Sequence, residues 1–197
     1  MTETSTAEAF RSALLALQQA FSDFARPAMI IGGLAAVARG IPRFTRDIDA
    51  TIDAEGLDVD RALALLQHHG FEPRIEHAAE FARQRLVLLL RHRPSAVDLD
   101  LSLAWLPFEH EALRRATSVD FGGVLLPVAT VDDLIVLKAV AWRLADRSDI
   151  ERLIIRHGRS VDLVRIRQAL EQLLNMLEEP ERLAEFDRLV SDALEDK

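Results

Sequence analysis

Apolar positions along this chain change period several times, and each change marks an element. Ala7, Phe10, Leu14, Leu17, Phe21 and Phe24 recur every three or four residues, which predicts an amphipathic helix over roughly 6–25, ended by Pro27. The run 28–31 (Ala-Met-Ile-Ile) is wholly apolar and short, as a buried strand is. Residues 34–39 then predict a short helix, broken at Gly40 and Pro42. A second strand is expected at 48–52. Asp58 or Asp60 can cap a helix reaching Gln67, with Gly70 as its stop. Two β-rich runs, 85–90 and 97–103, flank a turn with Pro94 and Ser95, and Gly122 and Gly123 predict a small hairpin within 119–127.

From Val131 onward the pattern is helical. Thr130 and Asp133 open a helix through Leu134, Leu137, Val140 and Leu144, and further helices are expected at 149–156, 161–177 and from Pro180. The expected organisation is an α/β sheet unit over 1–128 followed by a helical region over 129–197. At 197 residues, 49% of them hydrophobic, the chain is long enough to bury a core.

Composition narrows the chemistry. No run approaches the ~20 apolar residues of a membrane span, and the first residues lack a basic region with an apolar signal core. No membrane partner and a cytoplasmic location are therefore expected. Absence of cysteine leaves oxygen and histidine as the possible metal donors. The net charge of −8 is concentrated in 178–197, which carries eight acids and three bases. That balance argues against nonspecific nucleic-acid binding, whereas a local basic surface stays possible, with arginines clustered at 39–46 and again from Arg74 to Arg93.

Candidate chemistry begins at residues 32–49. Asp47 and Asp49 flank one apolar residue, so in a strand they share a face. Two neighbouring carboxylates repel, and a divalent cation relieves this, since magnesium is typically held by one or two carboxylates with substrate phosphates. Gly32 and Gly33, between an apolar strand and a helix, let backbone approach an anion. Two-metal phosphoryl or nucleotidyl transfer, with cations roughly 3.5–4 Å apart, needs further acids on an adjacent strand. Asp98 and Asp100 supply them on one face of an otherwise apolar strand.

Together these residues resemble the nucleotidyltransferase superfamily related to DNA polymerase β, and within it the bacterial AbiEii-like branch. The carrying residues are Gly32, Gly33, Gly40, Arg43, Thr45, Asp47, Ile48 and Asp49, with a weaker match at Val128–Lys138 and Arg147–Asp149, where Ser148 and Arg152 depart from the pattern. The resemblance implies an α+β fold: a nucleotidyltransferase-type mixed β-sheet flanked by helices, with a C-terminal helical bundle. It implies Asp47, Asp49 and Asp98 as catalytic metal ligands, with Asp100 as the alternate, and two Mg²⁺ ions arriving with an NTP. Gly32 and Gly33 become the phosphate cradle. It also makes an RNA such as a tRNA end a possible acceptor, and an antitoxin protein a possible partner.

Arg43, Thr45 and Lys138 join the glycines in the nucleotide-binding set. Arg43 and Arg46 are open to phosphate contact or to pairing with surface acids; Thr45 either positions the acidic strand or is a β-former. Lys138 stands out because lysine occurs only there and at 197, against 22 arginines. An ammonium at that place suits a phosphate point contact. The six histidines lack metal-ligand spacing, and Trp105 and Trp142 read as core anchors or stacking surfaces. Two other readings stand beside NTP transfer to RNA: an inert binding module of the same fold, and transfer to a small cationic antibiotic. NTP identity and acceptor are open at this stage.

Overall fold

The computed structural model describes residues 3–195. Helix α1 (Glu3–Phe24) buries Ala13, Leu14, Leu17, Ala20 and Phe21; the predicted stripe holds at Leu14, Leu17 and Phe21, while Ala7 is exposed and Phe10 and Phe24 are half-buried. Strand β1 (Ala28–Ile30) follows, and α2 (Gly32–Ala38) begins on the glycine pair itself rather than after it. The acidic strand β2 (Asp47–Asp53) extends one residue beyond each expected end. Helix α3 (Val59–His68) is capped by Asp58, whose carboxylate accepts from the backbone N–H of Asp60 and Arg61.

Three elements were not expected. Strand β3 (Phe71–Pro73) is only three residues long, too short for a period to register. Helix α4 (Ala78–Arg85) buries only Ala78 and Ala82 and starts without a side-chain cap, so neither pattern nor cap advertises it. It claims Arg85, expected in a strand: Leu86 adopts φ +55° and breaks the chain direction, so β4 starts later, at Val87–His92. Strand β5 (Val97–Ala104) then leads to α5 (Pro107–Arg115), where Pro107 sits in the first turn and Glu109 accepts from the backbone of Trp105 and Leu106 at 3.0 Å each. The hairpin is β6 (Thr117–Asp120) with β7 (Leu125–Val128).

These strands form one mixed seven-stranded sheet in the order β3-β4-β5-β2-β1-β7-β6. At its centre β2 and β5 run parallel, while β1 with β2 and β4 with β5 are antiparallel. One face of this centre is apolar and buried through Ile48, Ala50, Ile52, Leu99, Leu101, Leu88 and Leu90. The opposite face carries the acids. Trp105, expected in the core, is 60% exposed. It follows the last residue of β5, beyond the alternation that buries that strand.

His92 is buried on β4, its Nδ1 2.7 Å from Ser95 Oγ and its ring 5.0 Å from that of Phe71. Burial lowers its pKa, so the folded chain holds it neutral at pH values where the unfolded chain protonates it. Stability associated with this residue is present above about pH 6.5 and is lost as pH falls through the lowered folded value. Thermal unfolding between pH 7.5 and 5.5 should give His92→Gln a shallower decline than the parent; parallel declines would exclude His92 as the source.

Contacts divide the chain into two units: residues up to Leu34 with Phe44–Ala129, and Ala35–Arg43 with the chain from Thr130 onward. In the helical unit, α6 (Val131–Ala141) packs with α7 (Leu144–His157) and α8 (Leu163–Met176), and α9 (Arg182–Glu195) packs with both α7 and α8. The expected α+β class, a mixed sheet with helices and a packed set of C-terminal helices, is what the structure shows. Thr130 caps α6 by accepting from the Asp133 N–H, as the sequence indicates. The segment Ala35–Arg43 is tied into this unit by His157 Nε2 at 2.9 Å from the Arg39 carbonyl and by Arg156 lying against Gly40. Trp142 takes φ +54° as the C-cap of α6; its Nε1 donates to Glu185 and Arg147 stacks 4.9 Å from its ring, so it is a partly exposed helix end rather than a core anchor. Residues 196–197 of the acidic tail lie outside the described residues. Among those described, no helix is long and apolar enough to cross a membrane.

Candidate active site

Parallel pairing of β2 with β5 sets Asp47 opposite Asp98 and Asp49 opposite Asp100. Alternation along each strand turns all four carboxylates to the face opposite the core, with Ile48 and Leu99 buried between them. Like charges at adjacent register positions are costly unless cations intervene.

The glycine pair meets this ladder at Asp49. Gly32 has φ +61°, and a Cβ there would lie 2.0 Å from Asp49 Oδ2. Only glycine permits both the conformation and the approach. Gly33 N–H donates to the same Oδ2 at 3.3 Å, and Ile31 N–H to the Asp49 carbonyl at 2.9 Å. Thr45 takes the positioning role open to it: its Oγ1 lies 3.1 Å from both Asp47 O and Asp47 Oδ1. Asp53, at the end of β2, accepts from Glu55 N–H at 3.0 Å and closes the turn.

The β5 acids have protein partners. Arg91, directly across from Asp98 in the β4–β5 register, donates Nε to Asp98 Oδ1 at 2.6 Å and a second nitrogen to Oδ2 at 3.2 Å. Arg74 reaches Asp98 Oδ2 at 3.3 Å and also contacts Asp100. The Arg91 hydrogen bond, with the charges of Arg74 and Arg91, holds the Asp98 pKa below the usual carboxylate value despite partial burial. Arg91 is raised by the same contact.

These contacts bear on which residues fit a divalent cation. Among the described residues, no three His, Asp or Glu side chains converge as a metal-holding group. Asp47 and Asp49 at the glycine turn do match magnesium's usual set of one or two carboxylates completed by phosphates. Asp98 and Asp100 face the same way, with guanidinium groups where a metal ion would otherwise sit.

Two predicted residues belong to the helical unit. Lys138 is 4% exposed, with Nζ 2.7 Å from Asp149 Oδ2 and 3.0 Å from Asp146 Oδ1. Arg43 pairs with the same Asp149, which is itself buried. Of the roles open to Arg43, ion pairing is the one seen, with a buried acid rather than a surface one. Arg46 stacks against the Phe44 ring at 5.7 Å. Within Arg74–Arg93, Arg83 pairs with Asp60, and Arg93 with Glu72 at 2.9 Å.

Sequence reasoning missed that Arg74 and Arg91 hold the β5 acids. The signal for Arg91 is its seven-residue spacing from Asp98 around the turn at 93–96, which a hairpin register converts into a cross-strand pair. Arg74 carries no such signal, because the strand before it is too short to read.

A mixed sheet with a glycine turn beside paired acids on neighbouring parallel strands defines the nucleotidyltransferase class of fold. The chain belongs to the family described as nucleotidyltransferase of unknown function (DUF6036), whose profile matches residues 12–191. No curated protein matches it significantly. Among solved structures it is similar to the solution structure of the antibiotic-resistance factor ANT(2'')-Ia, with TM-score 0.59 and 19% identity over 90% of this chain and 97% of that one. A crystal structure of ANT(2'')-Ia in complex with adenylyl-2''-tobramycin matches with TM-score 0.56 and 18% identity over 83% and 98%. An antigenic nucleotidyltransferase-like protein from Paracoccidioides brasiliensis matches with TM-score 0.53 and 16% identity over 93% and 94%. At these identities the likeness is one of fold.

Proposed function

We propose that the protein is a magnesium-dependent enzyme that transfers a nucleoside monophosphate from an NTP to an RNA acceptor such as a tRNA end. Bound divalent cations, two in the usual arrangement, supply charge stabilisation of the attacking and leaving oxygens. Asp47 and Asp49 would hold them with the NTP phosphates, and Asp98, or Asp100 as the alternate, would complete the set. Gly32 and Gly33 keep side-chain bulk away from the phosphates. In the transfer, the acceptor hydroxyl oxygen bonds to the α-phosphorus as the α–β bridging bond breaks. Pyrophosphate leaves with that electron pair, and the hydroxyl proton passes to a β5 carboxylate. Thr45 acts through Asp47, while Arg43 and Lys138 share the partner Asp149 within the helical unit.

The observation that carries this reading is the register pairing Asp47 with Asp98 and Asp49 with Asp100 beside a glycine that only hydrogen can occupy. An RNA acceptor is supported by Arg91, on the strand beside the acids, and Arg93, in the turn that follows it, whose side chains are 55% and 75% exposed. Those donors suit phosphates better than the amino groups of a cationic antibiotic. The resemblance at residues 32–49 supports a further reading, that the enzyme is the toxin half of a toxin–antitoxin pair restrained by an antitoxin protein.

Incubation with each labelled NTP, Mg²⁺ and total cellular RNA should place label on a defined RNA. Failure with all four NTPs, together with Mg²⁺-independent or absent NTP binding in calorimetry, would overturn the proposal. That outcome would instead support an inert binding module, the reading favoured by the guanidinium contacts to Asp98. Label transferred to an aminoglycoside but not to RNA would move the acceptor to the small-molecule class.

A further inference from the structure

Arg74 follows β3 directly, and its backbone N–H donates to the Leu89 carbonyl at 2.9 Å, which fixes its base beside β4. Leu89 is the register partner of Asp100, and Arg91 that of Asp98. From this place Arg74 sends one guanidinium nitrogen to Asp98 at 3.3 Å and the other to Asp100. It is therefore a cation shared by two carboxylates on the strand beside Asp47 and Asp49.

A shared cation between two carboxylates of this ladder does electrostatically what a divalent ion does there. The charges of Arg74, Arg91 and Arg93 match those of Asp98, Asp100 and Glu72, and the charges of Asp47 and Asp49 on the facing strand lie outside this balance. The balance is local and tight, and a divalent ion added to the β5 acids has to displace a guanidinium. Room for the displaced group exists. A groove of about 340 Å³, lined by Glu72, Pro73, Arg74, Arg91 and Arg93, opens on this edge of the sheet.

We propose that Arg74 is a positioning residue that acts as an internal counter-cation, occupying Asp98 and Asp100 and competing with divalent metal for them. The inference rests on the metal-dependent reading of the same site. It gives the β5 acids two settings, closed on arginine or open to metal. Arg91 contributes to the closed setting through Asp98 alone, so Arg74 is the residue that spans both acids.

Binding of Mn²⁺ alone to the full chain, followed by calorimetry and by the electron paramagnetic resonance of free Mn²⁺, tests this without turnover. Arg74→Gln is expected to tighten Mn²⁺ about fivefold, the scale of a partly exposed ion pair. Arg74→Lys, which keeps the charge but loses the fork, should fall between the parent and Arg74→Gln. Arg93→Gln, which removes an equal charge that reaches only Glu72, should change affinity less than twofold. In an Asp98→Asn/Asp100→Asn background the Arg74→Gln gain should vanish. Equal affinity for parent and Arg74→Gln, with binding still abolished by Asp47→Asn, overturns this inference and leaves the proposed function standing. Absence of Mn²⁺ binding to parent and every variant, with NTP present as well as without it, overturns both.

Discussion

Asp49→Asn is expected to reduce nucleotidyl transfer by more than about 100-fold while leaving the fold intact. Outer-shell partners of metal ligands are each typically worth 10–100-fold, so removing the charge of a direct ligand exceeds that range. The substitution is nearly isosteric, and the amide oxygen still accepts from Gly33 N–H, which donates to Asp49 Oδ2 at 3.3 Å. Removing one negative charge from a ladder in which Asp49 faces Asp100 relieves repulsion rather than creating it. Circular dichroism and thermal unfolding should thus match the parent, while Mg²⁺-dependent NTP binding and label transfer are lost. Asp47→Asn should behave alike, with a further change at Thr45, whose hydroxyl lies 3.1 Å from Asp47 Oδ1. Transfer retained by either variant at parental rate would remove the β2 acids from the chemistry.

The sheet's central strands were legible because burial on one face imposes a period-two pattern, as in Val97–Ala104, where every second residue is buried. The glycine pair was legible as a turn that lets backbone come close to another group, but the expectation named a phosphate, and the group found against Gly32 at φ +61° is the Asp49 carboxylate. The same physics hid the rest. Helix α4 buries two alanines and shows no apolar stripe, and β3 ends after three residues. Trp105 misled because aromatic size suggests burial, whereas position at the end of a strand decides it.

Partnering among charged residues was the least legible layer. Asp98 and Asp100 looked like acids awaiting cations, and the strand pattern alone carried no trace of Arg74. Its contact depends on a three-residue strand placing it one β4 residue away from β5. Arg91 was readable in principle, because the hairpin turn fixes its register. A reading that converts turn length into register before assigning metal ligands would have found one of the two arginines.

Lys138→Ala is expected to destabilise the protein by about 3–5 kcal/mol, the range for removing one partner of a buried ion pair. Lys138 is 4% exposed and touches Asp146 and Asp149, and Asp149 is 4% exposed as well. Without the ammonium, Asp149 keeps its ion pair with Arg43, and Asp146 loses a charged contact at 3.0 Å. A cavity is added to the uncompensated charge, because α6 is buried around this point through Ile135, Val136 and Ala139. Thermal unfolding should fall by roughly 10 °C for a chain of this length. The double variant Lys138→Met/Asp149→Leu removes the two most buried charges and refills the volume, leaving the more exposed Arg43 and Asp146, so it should recover part of the loss. The comparison separates two roles for the one internal lysine of an arginine-rich chain. If Lys138→Ala keeps the parental unfolding temperature and weakens NTP binding instead, the ammonium serves a phosphate. Loss of stability with recovery in the double variant makes it the cation that holds Asp149, and with it Arg43, within the helical unit.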